Sequence, residues 1–453
     1  MKRLLQIEWL RLRRSSAAWW LLGGLFAAGL AAIFLGHAFQ QAQQVEIADL
    51  DTQFEKQSQR HEHRYQEKGE HSGYWAYYSF FPVHQPPSPL AAVSWGLRDL
   101  APFVTWVRLL GLEQQLYESG LGNPQLQALG QFDLTFVLGV LAPLVLLLLG
   151  HDVLSRDRGL GSLPLLAAQA GGLGRIFAAR LLVRFAMVAL VSVLLFCVAT
   201  VVLDLPWSGD SLAWLFIVLV GLLPWLGITA LIAARAQSVA ASLSAAMTAF
   251  VLLVILMPAM LNLTLSTLFP VPEGLELTVR QRQVMHDSWD QPRQANYDSF
   301  LARQPEYRGP FPTVPEADFT WRWYYAMHEN ADHAVLGLAT QHLKHLRQRH
   351  QWSQRLAWLS PPAMTQTMLC ARAGTDLDAH LLHLETVRSF HQQLKKHFFP
   401  IIFAETILPP GATRSFPRFT SPAPAPAAPL SLWPPLLLAA LLLPFARPRA
   451  VLS

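Results

Sequence analysis

Cysteine is nearly absent: Cys197 and Cys370 are the only two in 453 residues, which excludes a disulfide scaffold and a multi-cysteine zinc site. Charge is also scarce. Asp, Glu, Lys and Arg make up 14% of the chain, against about 25% in a soluble domain. There is no Gly-x-x-x-x-Gly-Lys-Ser/Thr loop to cradle nucleotide phosphates. A Gly-x-Ser-x-Gly elbow is missing too, and His328-Glu329 is followed by histidine at 333. That is one position beyond the spacing that turns two imidazoles of a His-Glu-x-x-His helix to one metal. No internal repeat is visible, and Pro422 to Pro429 is the only low-complexity stretch.

What the chain has instead is apolar runs. Hydrophobic residues make up 52% of it, with a mean hydropathy of +0.27. Six segments approach or reach the roughly 20 residues needed to cross a bilayer: 17–36, 134–150, 185–203, 212–234, 239–261 and 430–446. None contains Asp, Glu, Lys or Arg, and the last carries Pro434, Pro435 and Pro444. The expected fold class is an all-α polytopic membrane protein with six transmembrane helices and a mostly helical extracytoplasmic domain. Charge-free spans argue against an ion-coupled carrier, which places carboxylates or broken helices at midplane. Pro143, Pro224 and Pro258 are expected to kink their helices.

Charge sets the orientation. With the N-terminus inside, segments 1–16, 151–184, 235–238 and 447–453 hold 13 Lys/Arg and 3 Asp/Glu, whereas 37–133, 204–211 and 262–429 hold 22 and 27. Basic density is thus concentrated on the side assigned to the cytoplasm, as the positive-inside rule requires. The run 17–36 exceeds the core of a signal peptide, so an uncleaved anchor is expected. Ahead of it, Leu4, Leu5, Trp9 and Leu12 share one helical arc opposite Arg3, Arg11 and Arg14, the pattern of an amphipathic surface helix over 1–16.

The two large insertions, 37–133 and 262–429, hold 265 residues, too many for slack linkers. Leucines recur three and four apart over 335–356 and 377–399, predicting helices. Pro/Gly clusters at 82–89, 305–315 and 409–417 predict breaks. The dense aromatics, such as Tyr74-Trp75, Phe80-Phe81 and 321–325, read as a core or an outer-leaflet platform. Scattered basic residues, outnumbered by acids, give no nucleic-acid surface. Fifteen of 16 histidines, His37 included, fall in these segments. The pairs His342/His345 and His380/His383 are three apart, so each sets two imidazoles on one helical face, a spacing that can chelate zinc or copper. With no carboxylate or cysteine cluster at ligand spacing, ordinary packing or surface placement is the preferred reading of both.

The inner loop 151–184 reads Arg156-Asp157-Arg158-Gly159-Leu160-Gly161-Ser162-Leu163-Pro164-Leu165-Leu166, then Gly171-Gly172, then Arg175-Ile176-Phe177. A short apolar helix between charged and glycine-rich flanks suits a cleft on a cytoplasmic partner. This element resembles the one between spans two and three of type-2 ABC exporter permeases. Asp157 stands where that class usually has glutamate, and Ser162 replaces threonine. The amphipathic N-terminal helix resembles the elbow helix of the class. Leu359-Ser360-Pro361-Pro362, Gly374-Thr375-Asp376-Leu377 and the helix up to His397-Phe398-Phe399-Pro400 are similar to a subfamily of six-span permeases with a large extracytoplasmic insertion before the last span. The resemblance implies a multi-pass subunit of the bacterial inner membrane with both termini cytoplasmic. It further implies cytoplasmic ABC ATPase subunits as partners, a second permease copy, and contact with membrane lipid. ATP and Mg would sit on the ATPase, with no cofactor and no enzymatic activity in this chain. Coupling to the ATPase would fall to Asp157, Gly161, Ser162, Leu163, Leu165, Leu166 and Arg175. The other reading is a membrane-anchored extracytoplasmic receptor or assembly factor without transport, with metal handling as one form of it.

Overall fold

The computed structural model describes residues 1–68, 71–118, 132–169, 172–409, 411–421 and 433–446. Among the described residues the chain is nearly all helix, with five helices long and apolar enough to cross a membrane. Helix α1 (Lys2–Arg13) leads into α2 (Ser16–Lys68), one uninterrupted helix of 53 residues. The apolar run of α2 ends at 36, but the helix does not. Segment 37–68 has neither glycine nor proline and is rich in strong helix formers, so nothing stops it until about 80 Å of rise. Short elements follow: α3 (Ser72–Tyr78), strand β1 (Phe81–His84), strand β2 (Val104–Val107) and α4 (Leu112–Glu118). The strands pair antiparallel, with Phe81 opposite Val107 and His84 opposite Val104. They are the only strands among the described residues, and the sequence pattern does not announce them.

The next four apolar helices are α5 (134–150), α8 (Leu173–Val202), α9 (Gly209–Arg235) and α10 (Val239–Leu268). Between α5 and α8 lie the short α6 (Ser155–Gly159) and α7 (Leu163–Gln169). Helix α8 begins twelve residues before its apolar run and so takes Arg175, Arg180 and Arg184 into the helix. Two π turns interrupt the bundle, Val137–Leu141 in α5 and Leu252–Leu256 in α10. Each lies just before a proline, Pro143 and Pro258. A proline ring clashes with the carbonyl four residues back and leaves it without its donor, and a local π turn is how an apolar helix absorbs that defect.

The bundle has two distinct ends. At one, Arg158 donates to the Ala236 carbonyl and Ser242 to the His151 carbonyl, which gathers 151–158 and 235–242. The two insertions meet at the other end in one aromatic core. Trp75 and Phe81 from the first pack with Tyr297, Trp323, Tyr325, Phe398, Phe399 and Phe403 from the second. The second insertion supplies α11 (Glu273–Asp290), α12 (Arg293–Arg303), α13 (Trp321–Leu356), α14 (Pro361–Ala373) and α15 (Leu377–Phe403). The dense aromatics are therefore core.

Helix α14 does not stay among the other helices of the second insertion: it returns into the bundle, where Leu369 and Ala373 join the core formed by the apolar helices. Its N-cap Ser360 donates 2.8 Å to the Leu253 carbonyl inside the π turn of α10. Its far end, Arg372, pairs with Asp210 at the start of α9, at 2.7 Å. The segment thus enters the bundle from the insertion end, turns at Ser360-Pro361-Pro362 halfway along α10, and climbs back. Thr365 is buried against α9 at Gly221.

The last apolar run is helical throughout its described residues. Helix α16 covers Trp433–Leu442 and continues as a 3-10 turn, Leu443–Ala446; residues 430–432 and the 447–453 tail lie outside the described residues. Pro434 and Pro435 suit the first turn of a helix and Pro444 cannot continue one. It packs on α9 where Gly227 lacks a side chain; a Cβ there would lie 2.9 Å from that of Leu442.

A Cβ at Gly221 would lie 2.6 Å from Thr365 Oγ1. Gly221→Ala is therefore expected to cost about 1–3 kcal/mol through overpacking, seen as a lower melting temperature in detergent. Adding Thr365→Ala should restore most of the loss; no recovery would mean that α14 does not pack there.

Candidate functional site

The bundle end opposite the insertions is organised by a buried guanidinium. Arg180 is 2% exposed. It donates from Nε to Glu8 Oε1 at 3.0 Å, and its NH1 reaches both Asp157 and the Val153 carbonyl. Arg11 adds a contact to Asp157 at 3.4 Å, and Arg184 lies 3.8 Å from Glu8. One group thus ties α1, the turn after α5 and the start of α8. On α1 the docked side carries Glu8 and Leu12, while Trp9 is left 39% exposed.

The residues expected to couple to a partner divide into two groups. Asp157 points inward to Arg180 and Arg11. Ser162 turns back on it, its N–H and Oγ both donating to the Asp157 carbonyl at 3.1 and 3.3 Å. Leu163 packs half-buried against Val153, Leu154, Phe177 and Leu181. Gly161 holds φ +65°, a left-handed turn that glycine adopts without cost. Leu166 is half-buried, and Arg175 is exposed. Leu165 faces outward at 63% exposure, joined by Leu160 at 73%. The loop is therefore a fixed base carrying an exposed apolar crest. Glu8, Arg180 and Arg184 escape sequence reasoning. Their signal is the run of arginines leading into an apolar helix, opposite the one acid of α1.

The histidine pairs separate just as clearly. His383 is buried, and its pKa is pushed down to about 4 by burial, then by His380, Arg98 and His84. Burial also lowers His380. Arg98, itself buried, donates to Gln43 and to the Gln85 carbonyl. A fixed guanidinium beside two imidazoles opposes a metal cation. His342 and His345 instead meet the buried carboxylate of Glu273. His345 Nδ1 lies 2.6 Å from Oε1 and His342 Nδ1 4.0 Å from Oε2. His328 is buried and accepts from the Gly111 N–H, with its pKa pushed down to about 3 by burial. A further cluster joins His350, Asp376 and Asp378, whose ligand atoms lie within 4.8 Å of one another. Asp376 there already caps α15 through Ala379, and His350 already takes the Gln354 amide at 2.9 Å. Cys197 and Cys370 are both free.

Residues 275–421 match the family model described as Domain of unknown function (DUF3526). No curated protein and no solved structure matches the chain.

Arg180→Met should strand Glu8 and Asp157 without their counter-charge, at a cost of about 3–5 kcal/mol. Melting in detergent and protease release of α1 would both report it. Replacing Glu8 and Asp157 by leucine in the same chain should recover most of the stability. In the unit built from the insertions, buried His328, His383 and His391 bind protons more readily unfolded than folded, so stability falls as pH drops below about 6.5. Asp332, raised by burial to about 7, acts in the opposite sense between about 4 and 7. Asp332→Asn should therefore steepen the acid loss, so that the variant-minus-wild-type melting difference grows more positive from pH 4 to 7. A difference that declines over that range would contradict the assignment.

Proposed function

We propose that this chain is the transmembrane permease subunit of an ATP-driven ABC transporter, energised by a separate ATPase subunit. It would serve export or do work at the extracytoplasmic face. On this reading it is a multi-pass protein of the bacterial inner membrane with both termini cytoplasmic, working beside a second permease copy. The observation that carries the reading is the exposed crest Leu160 and Leu165 on a loop anchored from beneath by Leu163 and Asp157. An exposed apolar patch on a rigid base is what a partner's cleft recognises, and the base makes the patch a lever. Force applied at 160–166 passes through Asp157 and Arg180 into α8 and α1 together. Farther along, the bundle is joined to the insertion by Ser360 on α10 and Arg372 on α9. Work done at one end has a solid path to the other. Only 11% of the most apolar stretch of α10 is buried within this chain, which leaves that helix to lipid or to the second copy.

The test is the doubly substituted Leu160→Glu, Leu165→Glu protein, purified gently beside the wild type. An ATPase subunit with a Walker loop should accompany the wild type and be lost from the variant, with membrane insertion and melting temperature unchanged. A wild-type complex that holds only membrane or external partners after crosslinking would favour a receptor or assembly factor instead.

A further inference from the structure

Where the long extension of α2 passes the unit built from the insertions, the two do not close completely on each other. A cavity of about 270 Å³ is left between them, larger than the roughly 150 Å³ that suffices for one benzene ring. Its walls come from four stretches of chain: 47–54 of α2, strand β1, Phe390 of α15 and segment 417–419. Asp51 lies 15 residues beyond the end of the apolar run at 36, about 22 Å along the helix axis. At that distance the cavity opens to water, not to acyl chains.

The floor is aromatic. Phe54 meets Phe81 at 5.4 Å between ring centres, Phe81 meets Phe390 at 6.4 Å, and Phe390 meets Phe419 at 5.5 Å, each pair tilted or edge-on. Leu50, 3% exposed, completes it. Asp51, His84 and Arg418 stand around this floor, and their charges do not cancel. Arg418 is held by Glu55 at 3.1 Å and lies over the Phe54 ring at 5.8 Å. His84 is edge-on to Phe419 at 5.3 Å. Burial lowers its pKa against the opposing pull of Asp51, so the ring is neutral at pH 7. That leaves the Asp51 carboxylate, which makes no hydrogen bond or ion pair among the described residues.

A carboxylate at the edge of a phenylalanine-lined cavity attracts positive charge in two ways, by ion pairing and through the quadrupoles of the rings. The apolar floor then takes an apolar body out of water. We propose that this cavity binds a small organic cation, an ammonium group on an aryl or short alkyl body. The ammonium sits at Asp51 and the body among Phe54, Phe81, Phe390 and Phe419. Arg418 does not oppose it, because Glu55 balances that guanidinium and the charge felt by His84 is that of Asp51. The site does not depend on the transport reading, and its test involves no ATPase.

The full-length protein in nanodiscs of zwitterionic lipid is titrated with 2-phenylethylammonium. Binding is followed by saturation-transfer NMR, with empty nanodiscs as the blank. Saturable binding is expected with a Kd of about 1 mM or below. Neutral 2-phenylethanol and anionic 3-phenylpropionate should bind at least about 10-fold more weakly, and Asp51→Asn should weaken the cation by the same factor. That variant should leave 2-phenylethanol unchanged. Asp49→Asn, which removes the same charge two residues away on the same helix, should change neither ligand. Phe419→Ala should weaken cation and alcohol alike, because it takes away wall and not charge. Asp51 is exposed, so Asp51→Asn should melt with the wild type, and the proposal stands on that variant even where Phe419→Ala disturbs the fold. It is overturned by no saturable binding of the cation to the wild type, by equal binding to Asp51→Asn, or by equal losses from Asp49→Asn and Asp51→Asn. Tighter binding of 3-phenylpropionate would also overturn it, by making Arg418 the partner of the charged group.

Discussion

The bundle depends on how a guanidinium is accommodated among apolar helices. Arg180 lies one turn and more inside α8, fully covered, and ionised carboxylate partners are what make such burial tolerable. Glu8 and Asp157 are those partners, and each comes from a different stretch of chain. The consequence reaches past the ion pairs. The N-terminal helix is held against the bundle, the loop after α5 is folded back under its own base, and the apolar residues left over at Leu160 and Leu165 are turned outward. An exposed apolar crest emerges as the by-product of satisfying a buried charge.

The same demand recurs along the helices in milder form. Two prolines unsettle carbonyls in α5 and α10, and each helix answers with a π turn. In α10 the disturbed stretch also receives the hydroxyl of Ser360, which anchors the tip of the returning hairpin. Irregular backbone inside an apolar bundle persists only where other protein groups cover it. The hairpin at Ser360-Pro361-Pro362 meets that condition through Leu253, Gly221 and the surrounding core. What looks in sequence like a proline-marked break in an external domain is therefore part of the bundle.

The unit built from the two insertions follows different physics. Its core is aromatic, and several of its histidines are neutral packing residues whose burial disfavours protonation. The abundance of histidine in the insertions thus has two separate meanings. Most of the rings fill space, while the two beside Glu273 keep company with a carboxylate. Spacing alone cannot distinguish them, because both pairs are three apart on a helix. The electrostatic neighbour decides, Arg98 for one pair and Glu273 for the other.

The apolar helices could be read from the sequence because a bilayer-length run without charge has few alternative fates, and five of the six expected runs fall in such helices. The loop 151–172 was legible for a similar reason, since glycine at 161 and the leucines after it specify local geometry. Long-range partnership was not legible. That α2 continues for 53 residues follows from local propensity once looked for. That Glu8 meets Arg180 across 172 positions, or that Glu273 meets His345 across 72, has no local signature. Those meetings were decided by tertiary packing, because a buried charge takes whichever partner the folded chain brings within reach. The sequence by itself determined which segments are apolar and which are helical. Only the assembled helices decided which polar groups those segments would enclose together.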